Sequence, residues 1–509
     1  MTDTATAPSI SFARRWSSAV LLSASLLVIT LDMTILNIAL PDLAADLRPS
    51  ATQQLWIIDV YSLVLAGLLV SAGSLGDRFG RKRMLLLGYL VFGVASALVM
   101  VAHSPGQVIA LRALLGVGGA MIMPTTLTML RVVFTDPAER ATALGLWAAV
   151  SGVGAAIGPI VGGVLLENFS WRAAFLVNVP LMAIVAVIGL FLLPESRVAA
   201  ASRWDRLGAL MSIVGMVALI WAIKRFAKDQ NLLSGPALVA LAIALAVLAA
   251  FVWRSLHRPD PLLDVRLFRR RQFSAGILAA LGVTFALAAA LLLLAQWMQL
   301  VELYPPIETG VRLLPIAVAA VVSSLAAPWL AKVLNARIVL AAGLAAAALG
   351  LVLIALPEHL DYVSMLAPLI LVGLGMGAMT VASAMIMSGT PEEKAGNAAA
   401  LEETSYDLGN VLGVAILGSV AAMLYAADAD FGTIPGVDTG TADAAGESLG
   451  AAMAVAQEAQ LPALARHAAA AFTDSLQTTG LVGGVILLTV AAIVYILTPK
   501  TTDITTQTH

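Results

Sequence analysis

The 509-residue chain has no cysteine, which excludes disulfide scaffolds, thiol nucleophiles and thiolate metal sites. Charge is scarce as well: Asp, Glu, Lys and Arg make up 12% of the residues, against roughly 25% in ordinary soluble domains. The five histidines (His103, His257, His359, His467 and His509) lie far apart and show no metal-ligand spacing. Not even a Gly-Lys dipeptide occurs, so the chain has no Walker A phosphate loop and does not itself hydrolyse ATP. No nucleophile–base–orienter set is visible, which leaves an enzyme reading almost without support.

What is abundant is apolar. Hydrophobic residues form 60% of the chain, and the mean hydropathy is +0.93. Runs long enough to cross a bilayer fall near 17–40, 54–74, 84–102, 107–130, 141–165, 173–194, 207–223, 235–253, 273–301, 313–331, 338–356, 364–388, 403–425 and 477–498. They predict an all-α polytopic membrane protein with fourteen spans. Residues 1–16 are polar, carry Arg14 and Arg15, and lead straight into the first run, which reads as an uncleaved helix.

Lys and Arg distribute unevenly over the connecting segments: 21 on the side that carries the amino terminus and seven on the other. The positive-inside rule therefore predicts that both termini are cytoplasmic. Residues 254–271 form a basic linker that splits the spans into eight and six. Residues 426–475 form a long outer segment with seven acids and Arg466. It reads as a solvated loop, with a helix over its Ala-rich part, 445–472, as the alternative. A weak repeat aligns 73–84 with 327–338, placing Lys332 on Arg78 and Arg337 on Arg83. Paired halves are common in secondary transporters.

Charges inside spans are costly unless they have a partner or a task. Asp32 stands well inside the first span, Asp59 near the outer end of the second, and Arg112 in the fourth. The thirteenth opens with Glu402, Glu403, Tyr406 and Asp407, and Glu403 and Asp407 share a helix face. A lipid-sheltered carboxyl can hold a proton or help hold a cation, which is the minimal chemistry of an antiporter. Asp32, Arg112, Glu403 and Asp407 are the candidates for proton coupling, with Arg112 biasing Asp32. A static Arg-paired acid is the alternative for Asp32. Glu402 reads first as a solvated carboxylate at a helix start and second as a binding group.

A cavity for flat lipophilic cations needs aromatic faces and adaptable walls. Candidates beside Asp59 and the three thirteenth-span acids are Trp56, Tyr61, Trp147, Phe285, Trp297, Met298 and Tyr406. Trp56 and Tyr406 lead, because each lies within four residues of an acid.

Two motifs read as conformational. In the turn between spans two and three, Gly73 and Gly80 permit tight turning, Asp77 is placed to sit against a helix N-terminus, and Arg78 and Arg81 supply opposite charge. In span five, Gly154, Gly158, Pro159 and Gly162 form a small-residue face with a kink.

Together these motifs resemble the major facilitator superfamily, with Leu115 where its fourth-span motif usually has Gln. The Gly158-Pro159 stretch is similar to that of its drug/proton antiporters. The segments 53–67, 121–127, 192–196, 264–276 and 394–410 resemble the fourteen-helix QacA-type exporters of quaternary ammonium compounds. The resemblance implies an amino-terminal segment (1–16), a first six-helix bundle (17–194) and a section with two extra central helices and the basic loop (195–272). A second bundle (273–498) containing the outer loop 426–475 and a terminal segment (499–509) complete it. It further implies a proton-coupled antiporter of the cytoplasmic membrane, a monomer that uses the proton motive force and needs no cofactor or metal. Its partners would be lipophilic organic cations, protons and membrane lipids, with no nucleic acid. Some relatives carry an acid where Ala320 stands, which argues against strong handling of divalent cations. Export of an endogenous lipid or envelope metabolite, and a non-transporting sensor or scaffold, are the competing readings.

Overall fold

The computed structural model describes residues 11–197, 205–229, 234–258, 261–391, 394–428, 431–434 and 437–500. Residues 1–10 and 501–509 of the terminal segments, and with them His509, lie outside the described residues, as do Arg203 and Asp430. All regular structure among the described residues is helical. The first group of helices is α1 (Phe12–Leu47), α2 (Ala51–Phe79), α3 (Arg81–Leu98), α4 (Pro105–Val133), α5 (Pro137–Asn168), α6 (Ala173–Leu176) and α7 (Asn178–Leu192). Then come α8 (Arg206–Asp229) and α9 (Gly235–His257). The last group is α10 (Arg271–Gln296), α11 (Pro306–Leu334), α12 (Ala336–Leu353), α13 (Tyr362–Leu374), α14 (Met376–Ser388), α15 (Ala395–Asp428), α16 (Thr439–Glu447), α17 (Leu449–Glu458) and α18 (Pro462–Leu497).

Thirteen helical passages among the described residues are long and apolar enough to cross a membrane. α5 runs beside α1 and α11 for 32 residues, or about 48 Å at 1.5 Å per residue. The ends are set by local chemistry. Ser50 and Ser104 close capping boxes with Gln53 and Gln107 at the starts of α2 and α4. Asp361 and Ser364 do the same for α13.

α1, α2, α3, α4, α5 and α7 pack on one another as one bundle, and α10–α15 with α18 as a second. α1 and α5 meet through the predicted small-residue face. A Cβ on Gly154 would lie 1.9 Å from Thr30 Oγ1, and one on Gly158 1.8 Å from Thr34 Oγ1. Gly162 is buried, and α5 continues unbroken through Pro159.

The two bundles share a geometry that corrects the expected repeat register by one residue. Gly80 (φ +110°) joins α2 to α3, and Asn335 (φ +78°) joins α11 to α12. Gly80 therefore corresponds to Asn335, and Arg337 corresponds to Lys82 rather than Arg83. The contacts agree: Lys82 Nζ donates to Leu190 O near the end of α7 at 2.6 Å, and Arg337 Nε to Tyr495 O near the end of α18 at 2.6 Å. Arg14 likewise reaches Leu192 O, and Arg271 reaches Ile496 O, each at 2.9 Å. These cations define a basic end; the opposite end is called the far end below.

Between the bundles, α5 and α11 touch along their length, from Gly145 against Ser324 to Gly163 against Ile307. α2 and α15 touch at the basic end, where Gly73 lies against Gly396 and Ala400. Toward the far end α8 packs on both α2 and α15. Among the described residues α9 packs chiefly on α8, and it also touches the turn 265–269. The two extra helices are thus central in sequence but peripheral in space. The basic linker is not a free tether either, because Arg254 and Arg258 hold Asp205 at 2.9 and 3.0 Å and Lys394 bonds Asp264.

The segment 426–475 departs from the solvated-loop expectation. α15 runs on to Asp428, and α18 begins at Pro462. Between them α17 folds back on α18 and α16 packs on α17, burying Ala445, Leu449, Ala452, Ala456 and Leu464. Tyr425 Oη donates to Ala445 O at 3.1 Å and its ring faces Phe431 and Phe472. The alanines at helical spacing pack a cap instead of facing water.

Gly158→Val places methyls where Thr34 stands and should separate α1 from α5. We expect it to lose monodisperse elution from gel filtration, whereas Val164→Ala, at an exposed position on the same helix, should elute normally. Burial pushes the Asp205 carboxyl up, but the Arg254 hydrogen bonds, the Gly208 N–H and the charges of Arg254 and Arg258 outweigh it and hold it below the usual carboxylate range. A depressed acid stabilises above its unfolded value of about 3.9 and loses that contribution as pH falls through its folded value. Asp205→Asn should therefore lower the melting temperature by about 2–4 °C between pH 5 and 8. The gap to wild type should close below about pH 4.

Candidate functional site

The first-bundle charges form one closed group. Asp32 of α1 accepts from Arg112 Nη1 of α4 at 2.7 Å and from Asn178 Nδ2 of α7 at 2.7 Å. Arg112 Nε also donates to Ile57 O at 3.3 Å, and its guanidinium lies over the Tyr61 ring, 4.5 Å from the centroid. Asp32, Arg112, Tyr61 and Asn178 are all at most 2% exposed. Removing one partner from such a buried pair leaves an uncompensated charge and costs about 3–5 kcal/mol. Asn178 was missed from the sequence. The signal was there, as an amide in the otherwise apolar run 173–194.

The second group lies on α15. The helix begins at Ala395, so Glu402 is two turns inside it and fully buried, not a solvated carboxylate at a helix start. Glu402 Oε1 accepts from Tyr406 Oη. The Tyr406 ring faces Trp147 of α5 at 6.1 Å, and Trp147 Nε1 donates to Thr126 Oγ1 of α4 at 3.1 Å. This carries first-bundle side chains against the second-bundle acids. Glu402 Oε2, both oxygens of Glu403 and Asp407 Oδ2 are buried with no hydrogen-bond partner among the described residues. The hydroxyls of Ser324 and Thr380, on neighbouring α11 and α14, are buried and unpartnered in the same sense, and Ser383 of α14 stands beside the Glu402 carboxyl and the Tyr406 hydroxyl. Among the described residues no group of three His, Asp or Glu side chains is placed to hold a metal ion.

Asp59 already has a cation beside it. Lys224 of α8 bonds its Oδ1 and also donates to Ser62 Oγ at 3.2 Å. The sequence reading placed Lys224 in an outer connecting segment; it belongs to α8, which carries it to the α2–α15 seam. Trp56 is 41% exposed near the far end of α2. Trp297 and Met298 need correction as cavity residues. They sit in a π-helical turn, 297–301, where α17 and α18 pack over them, and are 1% and 0% exposed. Phe285 is buried against Gly413 of α15.

At the basic end Asp77 Oδ1 accepts from Arg81 Nε at 2.9 Å and lies 2.8 Å from Arg81 Nη2 as an ion pair, while Oδ2 accepts from Gly396 N, in the first turn of α15, at 3.1 Å. A carboxylate at that helix start meets unpaired N–H groups and the positive end of the dipole. Arg81 continues to Ser196 through its backbone N–H at 2.8 Å and its side chain at 3.3 Å. Gly80 approaches the Glu195 carboxylate, and Arg78 stacks on Phe79. Arg131 Nη2 crosses to Thr390 O at 2.6 Å. Asp77 and Arg131 therefore join the bundles through contacts that an opening motion must break. Asp77→Asn removes the charge from the α15 start. In the cysteine-free chain, Ala400→Cys reports on the seam from a fully buried position. Adding Asp77→Asn should raise its maleimide labelling several-fold; an unchanged rate would show that Asp77 does not hold this end closed.

Comparisons with known proteins match this architecture. A family model for the Major Facilitator Superfamily matches residues 22–414. Multidrug efflux pump LfrA of Mycolicibacterium smegmatis is 40% identical over 489 residues, covering 94% of this chain and 96% of that protein. Methyl viologen resistance protein SmvA of Salmonella typhimurium is 37% identical over 81% of this chain and 84% of its own. Puromycin resistance protein pur8 of Streptomyces alboniger is 38% identical over 83% and 85%. Among solved structures, the human organic anion transporter MFSD10 superposes with a TM-score of 0.63 at 13% identity, covering 95% of this chain and all of that one. A bacterial homologue of the lysosomal transporter Spinster, inward-facing and unoccupied, gives 0.59 at 15%, covering 96% and 98%. This chain belongs to the Major Facilitator Superfamily and is a multi-pass membrane transporter, not an enzyme.

Proposed function

We propose that the protein exports lipophilic organic cations in exchange for protons, with the basic end and both termini in the cytoplasm. The observation that carries this reading is the acidic stretch of α15: Glu402, Glu403 and Asp407 are buried, and four of their six oxygens have no partner among the described residues. A bare carboxylate in an apolar interior costs several kcal/mol, so each of these groups holds a proton or stands beside a cation. Exchanging one occupant for the other is antiport. Tyr406 and Trp147 supply aromatic faces beside the acids, each worth about 0.5–2 kcal/mol to a cation. Names borne by relatives support the substrate class: one is a multidrug efflux pump, and another is a methyl viologen resistance protein.

In this mechanism Asp32 and Arg112 form the companion proton group. While paired they neutralise each other, and protonation of Asp32 would release Arg112 to Tyr61 and Ile57 O. The basic-end latch opens to admit the guest, and the two bundles rock about the α5–α11 contact. An inward-negative potential opposes cation export by about 2.3 kcal/mol per charge per 100 mV. One proton moving inward cancels that charge for a monocation, leaving the pH gradient to drive accumulation outside.

Proteoliposomes with an imposed pH gradient test the reading. Wild type should move ethidium against its gradient only while the proton gradient stands. Glu403→Gln and Asp407→Asn should each cut the proton-driven component at least about tenfold, equivalent to ~1.4 kcal/mol of barrier, while the proteins stay folded. Flux indifferent to the proton gradient, or undiminished in both variants, would overturn it.

A further inference from the structure

α8 lies in the seam between α2 and α15 in a way that general packing does not require. Its Met216 and Ile220 bury against Leu63 and Ala66 of α2, with Val411 of α15 packed on the same cluster. Gly67 of α2 leaves the space that Val217 fills, 3.0 Å from where a Cβ would stand. One turn beyond Ile220, Lys224 reaches across to Asp59 and Ser62. Its charge also acts on Asp407, which stands one turn before Val411. Lys224 and Asp59 are each 28% exposed, so the pair lies at the boundary between the buried acids and the water beyond the far end.

We propose that Lys224 is a tethered cation that expels the transported cation from Asp59 and so governs release at the far end. The inference rests on the cation-export reading above. A guest leaving Glu403 and Asp407 along the seam meets Asp59 as the next acid, and Asp59 already has an ammonium. Two cations cannot share that carboxylate without like-charge repulsion in a partly dry site. The lysine has the advantage of attachment, since its effective concentration is fixed by its own stem and does not fall as outside drug rises or dissipates. When the guest sits on Asp59 the ammonium swings toward water on its four-carbon arm; when the ammonium returns, the guest is displaced and the carboxylate is never left bare. An exporter gains from this arrangement because it weakens affinity on the side where the guest must be let go.

The test measures competition from the far side in the same proteoliposomes. Tetraphenylphosphonium is added outside, and its inhibition constant for proton-driven ethidium export is determined. Lys224→Met and Lys224→Gln, each checked for monodisperse elution, should lower that constant about tenfold, ~1.4 kcal/mol, and lower KM and kcat together, because release becomes slow. Lys224→Arg keeps the charge and should stay within about twofold of wild type. Asp59→Asn combined with Lys224→Met should lose the gain, since the acid that would hold the guest is gone. Unchanged inhibition in the neutral variants, an Arg variant that behaves like Met, or a double variant that keeps the tighter inhibition each overturns the proposal. Wild type without proton-driven ethidium flux would sink the functional reading and this inference with it; normal wild-type flux with indifferent Lys224 variants would sink the inference alone.

Discussion

A carboxyl group surrounded by hydrocarbon has to be neutralised by something, and the molecule is organised by how it meets that demand. Asp32 is answered by Arg112 and Asn178, Asp77 by Arg81 and the start of α15, Asp59 by Lys224 and Asp264 by Lys394. Each answer ties segments distant in sequence, so the same requirement that settles the charge also fixes the packing. Among the described residues Glu403 has neither oxygen answered, and Glu402 and Asp407 each keep one buried oxygen without a partner. Leaving these three acids open concentrates ligand chemistry in a few residues of α15.

The seam architecture follows from where small residues permit contact. α5 and α11 approach closely at Gly145 and again at Gly163 and Gly310, at separated levels of the bundle, which makes that pair the spine of the molecule. The opposite seam is closed by unlike devices. At the basic end it is closed by backbone proximity at Gly73 and the Asp77–Gly396 bond, and toward the far end by the inserted α8. Motion about the spine therefore meets a polar fastening at one mouth and an apolar wedge carrying one charge at the other.

Much of this was legible in the sequence. Each of the thirteen membrane-length passages among the described residues falls on an expected apolar run, because span length is dictated by bilayer thickness and needs no knowledge of neighbours. The acids at 32, 403 and 407 stood out for the same reason, as polar groups in segments that should not contain them, whereas Glu402 read as a solvated helix-start carboxylate and is buried. What stayed hidden was pairing across helices. Nothing local in the stretch around Asn178 or Lys224 announces Asp32 or Asp59 as a partner, since more than a hundred residues separate them. The outer segment misled because alanine is neutral evidence: Ala445 and Ala452 count equally for a solvated helix and for a tight helix–helix contact, and only the tertiary neighbours decide. Trp297 and Met298 failed for a similar reason, as large side chains suit a cavity wall and a packed cap alike.

The clamps that close each bundle bear on how such a molecule ages. Lys82 and Arg14 grip the carbonyls of Leu190 and Leu192, and Arg337 and Arg271 grip those of Tyr495 and Ile496. A peptide carbonyl is offered by any residue, so the gripped strand of text is free to drift while the grip persists. Two halves descended from one ancestor can then lose nearly all literal likeness and still hold the same shape, and kinship between them is better sought in which carbonyls are held than in which letters agree.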